Sequence, residues 1–226
     1  MTQYFWTAED YAVGDPVTDA FTIFGSPTSA LIAEDGAGRK YLEVIGNDNN
    51  GVEFRFDAVS DSGDVEGFSN YRILDDGTDA SLIVLRSTFG GSFVGYRADW
   101  KARDYRISYM SPGFNALASS SADTPYISDK NVRFSAVGTT LQATFWEEGG
   151  SEPTTPEFTI TDTNLASGFV GFSFYRPKAV RVYSTGFGTN GDPAPTAPVV
   201  TGPVTPVNLG TTNLLSTSAR LKWGQG

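Results

Sequence analysis

Aromatic and charged side chains alternate along two consecutive segments that have the pattern of neighbouring strands. Tyr96 and Trp100 fall on one face of the first segment, and Tyr105 opens the second. Arg97 and Asp99 lie between the rings. Aromatic faces beside hydrogen-bonding side chains are what a sugar ring needs, so this set predicts a glycan-binding surface. The alternative is that the rings are core or inter-subunit contacts and the charges form cross-strand ion pairs.

A second group of residues offers oxygen ligands to a hard cation. In the segment 46–51 (GNDNNG), Asp48, Asn50 and Gly51 match positions 3, 5 and 6 of the EF-hand loop, and Asp57 stands where its last glutamate would be. Gly46 occupies the first position, which should carry a carboxylate. The segment therefore predicts either a structural calcium ion or an ordinary Asn-Gly turn, with no other cofactor expected. A weaker candidate set is Asp75, Asp76 and Asp79.

Composition excludes several classes of function. The 226 residues include neither His nor Cys, which excludes histidine-based catalytic relays, disulfides and thiol nucleophiles. A net charge of −10 argues against nucleic acid as a partner. The sequence has no apolar run long enough to cross a membrane, and residues 1–11 lack the features of a secretory signal.

Apolar residues recur with a period of two along most of the chain, which predicts strands. The clearest pair is Val132–Val137 with Thr140–Trp146, joined at Gly138 by a type II′ turn. Its predicted register pairs Val137 with Thr140, Ala136 with Leu141, Phe134 with Ala143 and Val132 with Phe145. A slip by one residue would bury the polar set Arg133, Ser135, Gln142 and Thr144, so this register is favoured.

About a dozen strands separated by Gly-rich and Asp-rich turns predict an all-β jelly-roll sandwich of two antiparallel sheets. One helical turn is expected at residues 163–167. Strands are predicted, besides the hairpin, at residues 21–24, 40–45, 52–58, 65–74, 81–86, 92–100, 104–110, 157–161, 169–175 and 180–185.

Three regions are predicted: a sandwich at 1–187, a Pro/Gly/Thr-rich linker at 188–207, and a C-terminal strand segment at 208–226. In the last region Leu221 and Trp223 alternate with basic residues, and nineteen residues are too few to build a core. The segment is expected to fold back on its own sandwich, to add a strand to a neighbouring subunit with these two residues as anchors, or to become ordered only on binding.

Residues 132–162, 165–174 and 180–198 (VRFSAVGTTLQATFW…, LASGFVGFSF and VRVYSTGFGTNGDPAPTAP) carry a resemblance to a known family. They resemble the C-terminal half of the concanavalin A-like (laminin G-like) domains of tailed-bacteriophage structural proteins. Residues 206–209 and 216–223 resemble the opening of a fibronectin type III module, of which the remainder is not present. The resemblance implies a virion protein assembled in the host cytoplasm, with other capsid or tail proteins as partners and homo-oligomers expected.

Glycan-cleaving enzymes with this sandwich use paired carboxylates spaced as E-x-D-x-x-E, and that spacing does not occur here. Glu147 and Glu148 are adjacent, so a strand would point them to opposite faces. Arg55 stands between Glu53 and Asp57 and is expected to lower the pKa of these carboxyl groups. The sequence therefore predicts a non-enzymatic virion protein, a capsid decoration or tail accessory subunit. The alternative is an adhesin that binds a host surface glycan, and a glycan hydrolase is the third reading.

Overall fold

A computed structural model describes residues 2–46, 51–74, 79–90, 93–101, 104–111, 113–121, 128–175 and 180–197. The described residues form two antiparallel sheets and one short 3-10 turn at Ala8–Asp10. Among them, no helix has the length and apolarity needed to cross a bilayer. The strands are β1 (Thr2–Thr7), β2 (Phe21–Phe24), β3 (Ser29–Glu34), β4 (Lys40–Ile45), β5 (Gly51–Phe56), β6 (Val65–Ile73), β7 (Asp79–Thr88), β8 (Val94–Lys101), β9 (Asp104–Met110), β10 (Phe114–Ser121), β11 (Lys130–Val137), β12 (Thr140–Glu147), β13 (Phe158–Thr161), β14 (Phe169–Tyr175) and β15 (Val180–Thr189).

The eight-stranded sheet has the order β13-β12-β11-β6-β15-β4-β3, with β1 also paired to β15. The seven-stranded sheet has the order β10-β9-β8-β7-β14-β5-β2. Neighbours along both orders are antiparallel, so the predicted all-β sandwich of two antiparallel sheets is confirmed. Strands distant in sequence are adjacent in both sheets, as a jelly roll requires.

The β11–β12 hairpin has the register that the sequence predicted, from Val137 opposite Thr140 to Val132 opposite Phe145. Gly138 has φ +55° while Thr139 is not in the left-handed region, as a type II′ turn requires. The six residues of the last three predicted pairs share the inward face and are at most 7 % exposed: Val132, Phe134, Ala136, Leu141, Ala143 and Phe145. The polar face of the hairpin fixed the register because burying it would leave hydrogen-bonding groups without partners.

The core between the sheets is dominated by phenyl rings. Phe21 lies 5.3 Å from Phe56 and 5.1 Å from Phe172, measured between ring centroids, and Phe54 stacks on Phe172 at 4.8 Å. These rings come from β2, β5 and β14, which are neighbours in the seven-stranded sheet. Tilted and edge contacts of this kind add to the stabilisation from buried area.

Three local predictions need correction. The helical turn predicted at residues 163–167 is absent, and the segment is a loop. The loop is held by hydrogen bonds from the Asn164 amide to Asp162 (2.8 Å) and from the Leu165 amide to the Tyr96 hydroxyl (3.0 Å). Three strands, β1, β3 and β10, are not among those predicted from the period of two.

The third correction concerns the end of the last strand. β15 continues to Thr189, past the strand end predicted at residue 185, and the chain around residue 194 then lies against the outer face of the eight-stranded sheet. Asp192 accepts a hydrogen bond from the Thr2 amide (2.5 Å), and the Ala194 amide donates to Glu66 (2.9 Å). A Cβ at Gly186 would collide with the Pro195 carbonyl oxygen. Residues 198–226, including Leu221 and Trp223, lie outside the described residues.

Candidate functional site

The five residues predicted to contact a glycan divide between two faces of the seven-stranded sheet. Tyr96 and Trp100 point into the sandwich and are 0 % and 1 % exposed. Tyr105 is partly buried and stacks on Phe145 at 4.6 Å. A sugar therefore cannot stack on these rings, and the alternative reading of Tyr96 and Trp100 as core contacts is confirmed. Arg97 and Asp99 alternate with them and lie on the outer face.

The Tyr96 hydroxyl joins the core to a loop. It donates a hydrogen bond to Asp162 and accepts one from the Leu165 amide at 3.0 Å. Burial, together with the bond to Asp162, raises the pKa of Tyr96 to about 12. This ring is therefore a structural anchor for the segment before β14.

On the outer face of the seven-stranded sheet, the strand registers align outward-facing positions in two cross-strand rows. One row passes from β2 to β9 through Thr22, Arg55, Gly171, Val84, Arg97 and Ser108. The other passes through Phe24, Glu53, Ser173, Ser81, Asp99 and Arg106. Five strand spacings make each row roughly 24 Å long. We call this surface the charged face.

Arg97 and Asp99 form the centre of the charged face. The Arg97 Nε lies 3.3 Å from Asp99 Oδ1, and the Ser108 hydroxyl donates to the other carboxylate oxygen. Arg97 is only 9 % exposed and Asp99 only 3 %. An ion pair so little exposed is costly unless its charges are paired and hydrogen-bonded, and both conditions are met here.

Phenyl rings from the β7–β8 connection border this ion pair. Phe89 lies against Gly171, where a Cβ would approach its Cζ to 3.0 Å, and it stacks on Phe24 at 6.1 Å. Phe93 packs edge-on against Phe89 at 5.9 Å and lies 5.9 Å from the Arg97 guanidinium carbon. Gly171 thus leaves the room for an aromatic cluster on an otherwise polar sheet.

Glu53 is held by the same β7–β8 connection that carries Phe89 and Phe93. Its carboxylate accepts a hydrogen bond from the Gly90 amide at 2.8 Å. Burial raises the pKa of Glu53, although the Gly90 amide and the charge of Arg97 act in the opposite direction. The expectation that Arg55 would lower the pKa of Glu53 is wrong, because burial raises this pKa and Arg55 pairs with Asp57 instead.

Arg55 and Asp57 form a second, more accessible ion pair. The Arg55 Nε is 2.9 Å from Asp57 Oδ1, and its Nη2 donates to the Thr22 hydroxyl at 3.1 Å. Its guanidinium carbon lies 5.8 Å from the Phe24 ring and 5.1 Å from the Phe169 ring. The side chains of Arg55 and Asp57 are 30 % and 34 % exposed. They are therefore fixed in place yet open to a ligand.

The calcium prediction is not resolved by this geometry. Asp57, one of its three residues, is held by Arg55 and Thr22, while Asp48 and Asn50 lie outside the described residues. Within the described ranges, no cluster of three or more potential ligands among His, Cys, Asp and Glu could hold a metal ion.

Arg106 and Phe114 complete the charged face at the β9–β10 end. The guanidinium carbon of Arg106 lies 5.1 Å from the Phe114 ring, which is 50 % exposed. Each arginine of the charged face thus lies beside at least one phenyl ring. Sequence reasoning found Arg97 and Asp99 but missed Phe24, Phe89, Phe93 and Phe114. The sequence carried a signal for two of these rings, since Phe89 and Phe93 enclose a short Gly-rich segment just before β8.

The carboxylates are poorly arranged for glycoside hydrolysis. Glu53 and Asp99 occupy one row but are three strand spacings apart, roughly 14 Å between backbones, against the ~5–9.5 Å between carboxyl groups that hydrolysis uses. Glu147 and Glu148 point to opposite faces, as predicted: Glu147 pairs with Lys130, and Glu148 with Arg39 at 2.8 Å. The charged face is therefore better suited to recognise a ligand by hydrogen bonding and shape.

Comparison with known proteins identifies the fold. No family model and no curated protein matches the sequence. Among solved structures, the chain is similar to the carbohydrate-binding module CBM66 of Bacillus subtilis (TM-score 0.52, 13 % identity, 74 % of this chain and 96 % of that one). It is also similar to a Bacillus subtilis protein of unknown function with a galectin-like fold (0.59, 11 %, 82 % and 94 %) and to lectin II of Ulex europaeus (0.54, 10 %, 84 % and 98 %). The chain has the lectin-like, concanavalin A-like jelly-roll fold that the sequence predicted.

Proposed function

We propose that this protein is a non-enzymatic carbohydrate-binding protein and that its ligand lies on the charged face. The observation that carries the proposal is the pairing of ordered arginine–carboxylate pairs with phenyl rings on one outer sheet surface. The likeness of the fold to carbohydrate-binding and lectin structures supports it.

The exposed part of the charged face has two kinds of group that would contact a saccharide. Arg55 and Asp57 present donors and acceptors to sugar hydroxyls, and the rings of Phe24 and Phe169 beside them offer flat surfaces to the C–H faces of a pyranose. Arg97 and Asp99 are less exposed, and their ion pair fixes the side chains at the centre of the charged face.

Charge favours a neutral saccharide. The charged face carries three arginines (Arg55, Arg97 and Arg106) and three carboxylates (Glu53, Asp57 and Asp99), so its own charges balance. The whole chain carries −10, which repels polyanions approaching from solution.

A glycan array with the full chain tests the proposal, followed by titration of the selected saccharide against variants. Arg55→Gln and Phe169→Ala are expected to weaken binding by about tenfold or more, because each removes a contact worth ~1.4 kcal/mol or more. The matched control is Arg181→Gln, which removes an arginine stacked on Tyr41 at 4.3 Å on the opposite sheet. Unchanged affinity in both charged-face variants, or equal loss in the control, would contradict the proposal.

We further propose that the protein is displayed on a bacteriophage virion. The support is the resemblance of residues 132–162, 165–174 and 180–198 to phage structural domains. The path of residues 190–197 adds to it, because the chain reaches residue 197 on the sheet opposite the charged face. Attachment through residues 208–226, with Leu221 and Trp223 as anchors, would then leave the charged face outward.

The virion proposal has its own test. Microscopy and proteomics of purified particles should detect the protein at the particle surface, and trimming residues 208–226 should abolish its incorporation while the sandwich stays folded. Absence from particles would contradict the location, and normal incorporation of the trimmed protein would contradict the anchoring role.

A further inference from the structure

Lys130 is almost completely buried, with 1 % of its side chain exposed. It is the first residue of β11 and points between the sheets, like the alternate residues Val132 and Phe134 that follow it. In the register it stands directly opposite Glu147 on β12 and Tyr71 on β6. Its Nζ donates to the Glu147 carboxylate.

The surroundings of the amine are aromatic. The Lys130 Nζ lies 4.3 Å from the centroid of the Trp100 ring, and that ring contacts Tyr71 at 6.2 Å and Tyr105 at 4.4 Å. Phe145 closes the group at 4.6 Å from Tyr105. Such surroundings disfavour the charged ammonium relative to its state in water. Burial accordingly lowers the pKa of Lys130 to about 8.

Two hydrogen-bond donors of this aromatic group have no partner in the part of the chain that the structure describes. They are the Tyr71 hydroxyl and the Trp100 indole nitrogen, on side chains that are 0 % and 1 % exposed. Burial raises the pKa of Tyr71 well above its usual range, so the hydroxyl keeps its proton. Donors of this kind stabilise an oxyanion that develops on a neighbouring carbonyl group.

We propose that Lys130 and Glu147 become joined by an intramolecular isopeptide bond. The ammonium first passes a proton to the carboxylate, which gives the neutral amine and the carboxylic acid. The Nζ lone pair then attacks Cδ, so the Nζ–Cδ bond forms and the Cδ–OH bond breaks. The hydroxyl leaves with a proton from Nζ as water, and no other reactant is needed.

The fold holds the Lys130 amine and the Glu147 carboxyl group in contact, whereas free amines and acids in water are rarely in contact. The register holds nucleophile and electrophile together, and such intramolecular pairs reach effective concentrations of roughly 10⁵–10⁸ M. The Glu147 side chain is 39 % exposed, which gives the released water a path to solvent. The bond would close the open end of the β11–β12 hairpin, opposite the turn at Gly138.

Intact-mass measurement of the folded full-length chain tests the proposal. The expected mass is lower by one water than that of the Lys130→Arg variant after correction for the Lys/Arg difference, because a guanidinium keeps the charge but does not acylate. After trypsin digestion, peptides 107–133 and 134–178 should remain linked. Lys40→Arg, which changes a lysine held by the Glu9 and Tyr11 carbonyl oxygens, is the matched control and should still lack the water.

Each outcome decides the question. A wild-type mass with no water missing overturns the proposal, as does loss of water from the Lys130→Arg protein or recovery of peptides 107–130 and 134–178 as separate species, since trypsin cleaves after a free Lys130. Loss of one water in the wild type and the Lys40→Arg protein, with the linked peptides recovered, supports it. The readout requires no ligand and is independent of carbohydrate binding.

Discussion

Arg86 is expected to be among the most costly side chains to remove, because it joins three separate segments. Its guanidinium donates to the carbonyl oxygens of Gly63 (2.7 Å), Leu165 (3.0 Å) and Ala136 (3.2 Å), and the side chain is 2 % exposed. Arg86→Ala would leave these three carbonyl oxygens without that donor. At ~1 kcal/mol or more for each lost partner, the free energy of unfolding should fall by about 3 kcal/mol or more.

The backbone conformation at Arg86 allows a second prediction, which compares the alanine variant with a glycine variant. Its φ is +49°, a left-handed conformation that costs a residue with a Cβ about 1–2 kcal/mol. Arg86→Gly should therefore be more stable than Arg86→Ala by about 1 kcal/mol, the reverse of the usual order in a strand.

Urea unfolding followed by tryptophan fluorescence measures both differences, with Arg181→Ala on the outer face of the other sheet as the control. The control should lose less than about 1 kcal/mol, because Arg181 is only partly buried and a cation–π contact of this kind, here with Tyr41, contributes about 0.5–1 kcal/mol. A loss below about 1 kcal/mol in Arg86→Ala, or an alanine variant at least as stable as the glycine variant, would refute the reasoning.

Three further predictions concern the core, the charged face and the chain end. Trp100→Ala should lower the free energy of unfolding by about 3–5 kcal/mol in urea titration, because the ring is 1 % exposed, whereas retained stability would contradict its core role. Since burial raises the folded-state pKa of Glu53, protonated Glu53 stabilises the fold below its unfolded-state pKa, and this contribution is lost as the pH rises through the folded-state value. Glu53→Gln should therefore be more stable than the parent at pH 7 and lose that advantage near pH 4. Thermal melts in which the two melting temperatures differ equally at both pH values would contradict this prediction. Gly186→Ala should detach the segment around Pro195 and make it sensitive to protease, and unchanged cleavage would contradict the close packing.

The strands that the sequence predicted best are those with one polar and one apolar face. The register of the β11–β12 hairpin was predicted to the residue, since a shift by one position would bury Arg133 and Gln142. β10 (FNALASSS) was missed because it lies at the edge of its sheet, where small polar residues replace the alternation. Edge strands bury little, so their sequences carry a weak signal.

The candidate site was predicted only in part for a related reason. Alternation showed that Arg97 and Asp99 share one face and that Tyr96 and Trp100 share the other, but it did not show which face is interior. That depends on the second sheet, which supplies Tyr71 against Trp100. The rings of the charged face come from other segments, and Phe89 fits beside the sheet because Gly171 has no side chain.

Backbone amide chemical-shift mapping with the saccharide selected on the array tests the central claim most directly. The account predicts shifts that concentrate on the outer positions of β5, β8 and β14, around Arg55, Arg97 and Ser173. Shifts confined to the outer face of the eight-stranded sheet, around Tyr41 and Arg181, would contradict it.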